Sequence, residues 1–254
     1  MNDPPPDLPL PVEPLAEALP ARAERYPFWD YRDALAFLLL AIPTQLAGAL
    51  IVRSVYLFSA VKPSKAFELL PGQFLGYALW FACLFLLLKG KYDRSFWRPL
   101  GWVTPSGSLI LSLMLGVPLA FAIAALGALL RTPEIEMPFR ELLSDRLSIL
   151  LVGVSAVTIG PVFEELTFRG FLFPLIARTT GVAPAIVLTA LPFALLHGPQ
   201  YGWSWRHLLL ITFAGCAFGC ERYRTGSTLA AALMHSTYNA TFFFGYLLLG
   251  MDRP

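Results

Sequence analysis

The sequence predicts an all-α, polytopic transmembrane helix bundle, on three observations. Its 254 residues are 56% hydrophobic and only 14% charged, where a soluble domain carries about a quarter charged residues. Its mean hydropathy is +0.61. Several apolar runs approach or exceed the ~20 residues that cross a bilayer as a helix. The net charge of +2 comes without a basic block, so membrane lipids are the expected surroundings and no nucleic-acid partner is expected.

Residues 1–27 are rich in Pro, Ala and Glu and are expected to form a disordered or surface-lying tail; residues 28–254 then form one membrane bundle. No basic region precedes an apolar core at the start, so no cleavable signal peptide is expected. Ala34 to Val52 makes the first span, with Pro43 as a kink, and about Leu69 to Leu88 the second. Between them lies a loop with Lys62, Pro63 and Lys65. Lys89 to Arg98 is a short loop with four positive residues against Asp93. Leu109 to Leu130 is an uncharged third span, followed by a loop carrying Glu134, Glu136, Glu141 and Asp145. Basic after span two and acidic after span three, the loops put the first, and the N-terminus with it, in the cytoplasm by the positive-inside rule. Arg222 and Arg224 fit the same scheme. The implied location is the cell (inner) membrane of a prokaryote.

Leu147 to Ala177 is too long for one straight crossing, and Gly160-Pro161 is the expected break. Thr179-Thr180-Gly181 makes a turn, and a helix runs from Pro184 to His197. An aromatic interfacial loop follows, with Tyr201, Trp203 and Trp205. Leu208 to Cys220 is a short span whose Gly215 and Gly219 suit close helix packing, and Thr228 to Leu249 is the last. The total is seven membrane helices, or eight if Gly160-Pro161 divides two elements. Cys83, Cys216 and Cys220 all lie in apolar spans and read as small buried hydrophobes without a disulfide framework.

Ionisable groups at membrane depth cost roughly 2.5–3.5 kcal/mol each on insertion scales and mark function by default. Glu164, Glu165 and Arg169 interrupt the fourth apolar run, while His197, and then His235 with Asn239, enter on two later helices. At ~1.5 Å per residue, Glu164 and His197 both lie roughly 20 Å from the turn at Gly181, and His235 and Asn239 reach a similar layer from the Ser227 end. Within the helices, Glu165–Arg169 and His235–Asn239 are i,i+4 pairs on single stripes. Glu164 and Glu165 are adjacent and point about 100° apart, so they have different partners. One is held ionised by Arg169; the other faces a cavity, a placement suited to proton abstraction from water.

Glu164-Glu165-x-x-x-Arg169, Phe193-x-x-x-His197 and His235-x-x-x-Asn239 together resemble the three motifs of the CPBP intramembrane proteases. That family includes type II CAAX prenyl endopeptidases and bacteriocin-processing or self-immunity proteins. The resemblance spans about residues 147–245, the expected catalytic core. It implies peptide-bond hydrolysis within the membrane, on a prenylated CAAX-type or other membrane-associated peptide or protein. Glu164 with His197 would activate water, and His235 and Asn239 would stabilise the oxyanion. Glu165 and Arg169 would orient the first carboxylate, and Phe193 would pack beside His197. No cofactor is expected.

Three other readings stay open. Glu164, His197 and His235 are a usable zinc-hydrolase ligand set, although no HExxH motif is present. The polar residues could instead merely pin helices together in a non-enzymatic scaffold or immunity protein. A proton-coupled carrier could use the same groups as a relay, against which stands the lack of internal repeats.

Overall fold

A computed structural model describes residues 25–59, 61–133 and 140–250. The predicted tail (residues 1–24 of it) and the loop acids Glu134 and Glu136 lie outside them. The described residues form seven helices: α1 (Tyr31–Ser59), α2 (Lys65–Lys91), α3 (Leu109–Leu129), α4 (Arg146–Thr180), α5 (Val182–Leu196), α6 (Trp205–Thr225) and α7 (Thr228–Gly250). The first four are each long and apolar enough to cross a membrane; α5, with 15 residues, is shorter. The chain is an integral membrane protein of all-helical architecture.

Helix starts have local causes. Asp30 accepts from the backbone N–H groups of Arg32 and Asp33 at the head of α1. The Ser108 hydroxyl accepts from Leu111 N at 3.3 Å to begin α3, and the Asp145 carboxylate accepts from Leu147 N and Ser148 N, both at 3.0 Å, to begin α4. Gly181 (φ 87°) separates α4 from α5, and Gly226 (φ 67°) ends α6 in the left-handed conformation that favours glycine.

The expected break at Gly160-Pro161 does not occur. α4 is continuous because a wide π-turn at Ser155–Ile159 shifts the hydrogen-bond ladder just upstream of Pro161. A second π-turn, Leu166–Leu172, stands in the same relation to Pro174. The count is therefore seven helices. α1 likewise runs unbroken through Pro43. Most helices also extend beyond their apolar runs, α1 to Tyr31 and Ser59 and α6 to Trp205 and Thr225.

Small residues pair the helices around α4. A Cβ on Gly48 of α1 would fall 2.3 Å from Gly72 O and 2.5 Å from Gly76 N of α2. One on Gly116 of α3 would fall 2.0 Å from Thr237 Oγ1 and 2.3 Å from Met234 O of α7. Gly215 and Gly219 of α6 meet Ala190, Phe193 and Ile186 of α5 in the same manner. Gly116→Ala is accordingly expected to destabilise the protein by about 1–3 kcal/mol, the usual cost of overpacking. Thermal unfolding in detergent measures it, with Gly245→Ala, whose Cβ meets nothing within 4 Å, as the neutral control.

α1 and α2 pack on α4 through stacked aromatics. Phe37 lies on Trp80 (4.4 Å between centroids) and buried Trp29 on Phe171 (5.1 Å), each indole N–H donating to a backbone carbonyl, Phe37 O and Phe171 O. Tyr26 donates to Pro99 O and Arg178 to Pro27 O, so the chain just before α1 is fastened to the bundle.

The segment between α2 and α3 also packs inward. Leu100 is fully buried and its carbonyl accepts from Thr228 Oγ1 (2.6 Å), while Gly101 O accepts from Thr228 N (2.7 Å) and Val103 O from Ser227 Oγ (2.5 Å). Gly170 of α4 accommodates Leu100: a Cβ there would sit 2.8 Å from Leu100 O. Gly101 has φ +70° and lies against the Arg222 guanidinium, so both backbone and space call for glycine. This segment fixes where α7 starts and hence the depth of His235. The cysteines are free; Cys83 and Cys216 are half-buried, and Cys220, expected to be buried, is exposed on α6.

Candidate active site

The site is built on the stretch of α4 between its two π-turns. Gly160 N–H bonds to Ser155 O across the wide turn, and Pro161 has no N–H to offer, so the Ala156 carbonyl loses its helical donors. Asn239 of α7 replaces them, its Nδ2 donating to Ala156 O at 2.8 Å. Proline, π-turn and asparagine thus tie α7 to α4 immediately before the two glutamates.

Glu165 and Arg169 are both fully buried. Arg169 Nη1 donates to Glu165 Oε1 at 3.0 Å, and Nη2 to the Gly215 carbonyl of α6 at 2.5 Å. The guanidinium lies among three rings, its Cζ 4.8 Å from the centroid of Phe193, 5.6 Å from Phe218 and 5.9 Å from Phe168. The missing Cβ of Gly215 makes the approach possible, since it would sit 3.1 Å from Nη2.

The same Glu165 Oε1 is 2.9 Å from Nδ1 of His235, which is 3% exposed and stacks on Phe218 at 4.3 Å and 20°. A carboxylate accepts, so Nδ1 carries the proton and Nε2 is directed elsewhere. Nε2 lies 3.8 Å from Oε2 of Glu164, whose side chain is 26% exposed. The two adjacent glutamates therefore face opposite nitrogens of one imidazole, one sealed and one accessible. Tyr77 of α2, stacked on Phe163 at 4.7 Å, lies in the electrostatic field of Glu164.

His197 follows the last residue of α5 and is half-buried. Its Nδ1 donates to Phe193 O at 2.8 Å, which leaves Nε2 of the neutral ring with its lone pair. Phe193, 2% exposed, has its ring 4.9 Å from His197 and 5.7 Å from His235. His197 and Glu164 are not within 4.0 Å of each other. Glu164, Glu165, Arg169, His235, Asn239 and Phe193 thus join through direct contacts or shared partners, with His197 beyond the Phe193 ring.

No group of three or more His, Cys, Asp or Glu side chains among the described residues is placed to hold a metal ion. Glu164, His197 and His235 do not fit a ligand set as they stand.

Several contributors escape inspection of the sequence. The Gly215 carbonyl, Phe218 and Tyr77 belong to apolar runs and carry no local signal. Glu221 of α6 is a further buried carboxylate, accepting from Ser112 Oγ at 2.6 Å and from both Nε and Nη2 of Arg224. Its i,i+3 relation to Arg224 was the available sign.

Comparison with curated proteins and with solved structures finds no match. Residues 146–241, which run from the head of α4 into α7 and contain every side chain of this cluster except Tyr77, match the family model described as type II CAAX prenyl endopeptidase Rce1-like, the family that the three motifs resemble.

Proposed function

We propose that the protein is an intramembrane endopeptidase that hydrolyses a peptide bond in a prenylated CAAX-type or other membrane-associated substrate. The observation that carries this reading is a half-exposed carboxylate, Glu164, beside an imidazole, His235, whose far nitrogen is anchored by the buried Glu165. Glu164 accepts a proton from water as the oxygen attacks the scissile carbonyl carbon. His197, with Nε2 free, assists that transfer from the other side of Phe193. The carbonyl oxygen becomes an oxyanion, stabilised by N–H donors from protonated His235 Nε2 and the second amide hydrogen of Asn239. Collapse re-forms the carbonyl and breaks the C–N bond, and the proton held by Glu164 passes to the leaving amine. Arg169 balances the Glu165 charge within the protein. The basic segment Lys89–Arg98 and the ends of α6 and α7 near Arg222 and Arg224 lie at one end of the bundle, taken as cytoplasmic together with the N-terminus. The membrane is taken to be the inner membrane of a prokaryote.

The test is cleavage of a farnesylated CAAX peptide by the purified protein in detergent, with and without a chelator. Cleavage that survives chelation and is lost in Glu164→Gln supports glutamate-activated water. Cleavage abolished by the chelator and restored by zinc would replace this mechanism with a metal-dependent one. If no prenylated peptide is cleaved, the substrate class is wrong.

A further inference from the structure

A groove on the outer face of the bundle lies apart from the site, between the last turns of α2 and the turn that follows it. Its floor is aromatic: Phe81, Phe85, Phe96 and Trp97 line it, with Phe85 49% and Trp97 53% exposed. Lys89 and Arg94 stand at its rim. Residues 89–98 hold four basic side chains against Asp93. One of them, Lys91, is already neutralised by Asp33 of α1 at 2.5 Å. Lys89 is bonded to Asp93 at 2.5 Å, but with side chains 59% and 87% exposed this pair is weakly held and open to exchange. Arg94 is kept at the rim by the Phe28 ring, 5.7 Å from its Cζ. A basic rim over an apolar trough, at a helix end where a membrane protein meets headgroups, complements one ligand chemistry: a phosphate joined to a hydrocarbon chain.

We propose that this groove binds one anionic phospholipid, with its phosphate between Lys89 and Arg94 and an acyl chain along Phe81, Phe85, Phe96 and Trp97. The groove also touches the site through two ring contacts. Phe81 packs on Phe96 at 6.4 Å and on Phe163 at 4.7 Å, and Phe163 directly precedes Glu164. Lipid that immobilises Phe81 therefore presses on the wall of the helix that carries the candidate base.

Native mass spectrometry of the full chain tests the binding without reference to activity, titrating dioleoyl phosphatidylglycerol against dioleoyl phosphatidylcholine. The expected result is a preference for phosphatidylglycerol on the order of tenfold, the effect of basic residues near an anionic headgroup. The preference should fall towards parity in Lys89→Gln and return in Lys89→Arg. Equal retention of the two lipids by the unmodified protein overturns the proposal, as does a preference that persists in Lys89→Gln combined with Arg94→Gln. Glycerol 3-phosphate competing as well as the intact lipid would overturn the role of the aromatic trough.

Discussion

Glu165→Ala is expected to remove about 3–5 kcal/mol of stability, the cost of stranding a buried charge, and to abolish peptide cleavage as well. The substitution leaves Arg169 fully buried with only the Gly215 carbonyl as a polar partner, and leaves His235 Nδ1 without its acceptor. Arg169→Ala should cost about as much, by stranding the carboxylate instead. The informative protein is the pair Glu165→Leu with Arg169→Met. Replacing a buried ion pair by apolar residues of similar volume is often neutral or stabilising, so thermal unfolding should recover most of the loss. Cleavage should not recover, because His235 is still unanchored. If the double variant regains activity together with stability, Glu165 is only a pin between helices and the orienting role falls.

Glu164→Gln should behave in the opposite way. Cleavage is expected to fall by about 10²–10⁴-fold, the usual contribution of a general base, while stability stays within about 0.5 kcal/mol of the unmodified protein. Glu164 is partly exposed and its one charged contact, to His235, is 3.8 Å long, so the fold depends little on it. A Glu164→Gln protein that is unstable as well as inactive would place this residue in the structural network and shift the search for the base to His197. Two neighbouring glutamates thus differ by several kcal/mol in what the fold asks of them, and the same pair of assays separates them.

The helices and the neighbourhood of the site were largely legible in the sequence. Apolar run length marks helices that cross a bilayer, and i,i+4 spacing places Glu165 beside Arg169 whatever the rest of the bundle does. Helix ends were less legible, because hydropathy reports the bilayer and not the hydrogen-bond ladder, which α1 continues through Ser54 and Ser59. Gly160-Pro161 read as a break because the rule against interior proline assumes an α-helical ladder; a π-turn moves the missing donor to where Asn239 can substitute for it. Depth along a helix follows from counting residues, but rotation about its axis does not. Counting therefore brought Glu164, His197 and His235 to one layer without saying that Glu165 holds His235 or that Phe193 stands between the histidines. The inward packing of Leu100 had no sequence sign, since its partners are backbone groups of a segment that looks like an ordinary basic loop.

The Glu165–Arg169 pair has a consequence for how the protein reaches the membrane. Both charges belong to one helix, four residues apart, so they can neutralise each other as soon as α4 coils, before any other helix is present. Two unpaired charges would add roughly 5–7 kcal/mol to the insertion of that segment; a pre-formed pair enters with no net charge. The Gly215 carbonyl and His235 arrive later in synthesis, on α6 and α7. α4 can thus be integrated as a self-neutralised segment, and its remaining polar capacity then serves to recruit the helices that follow it from the ribosome.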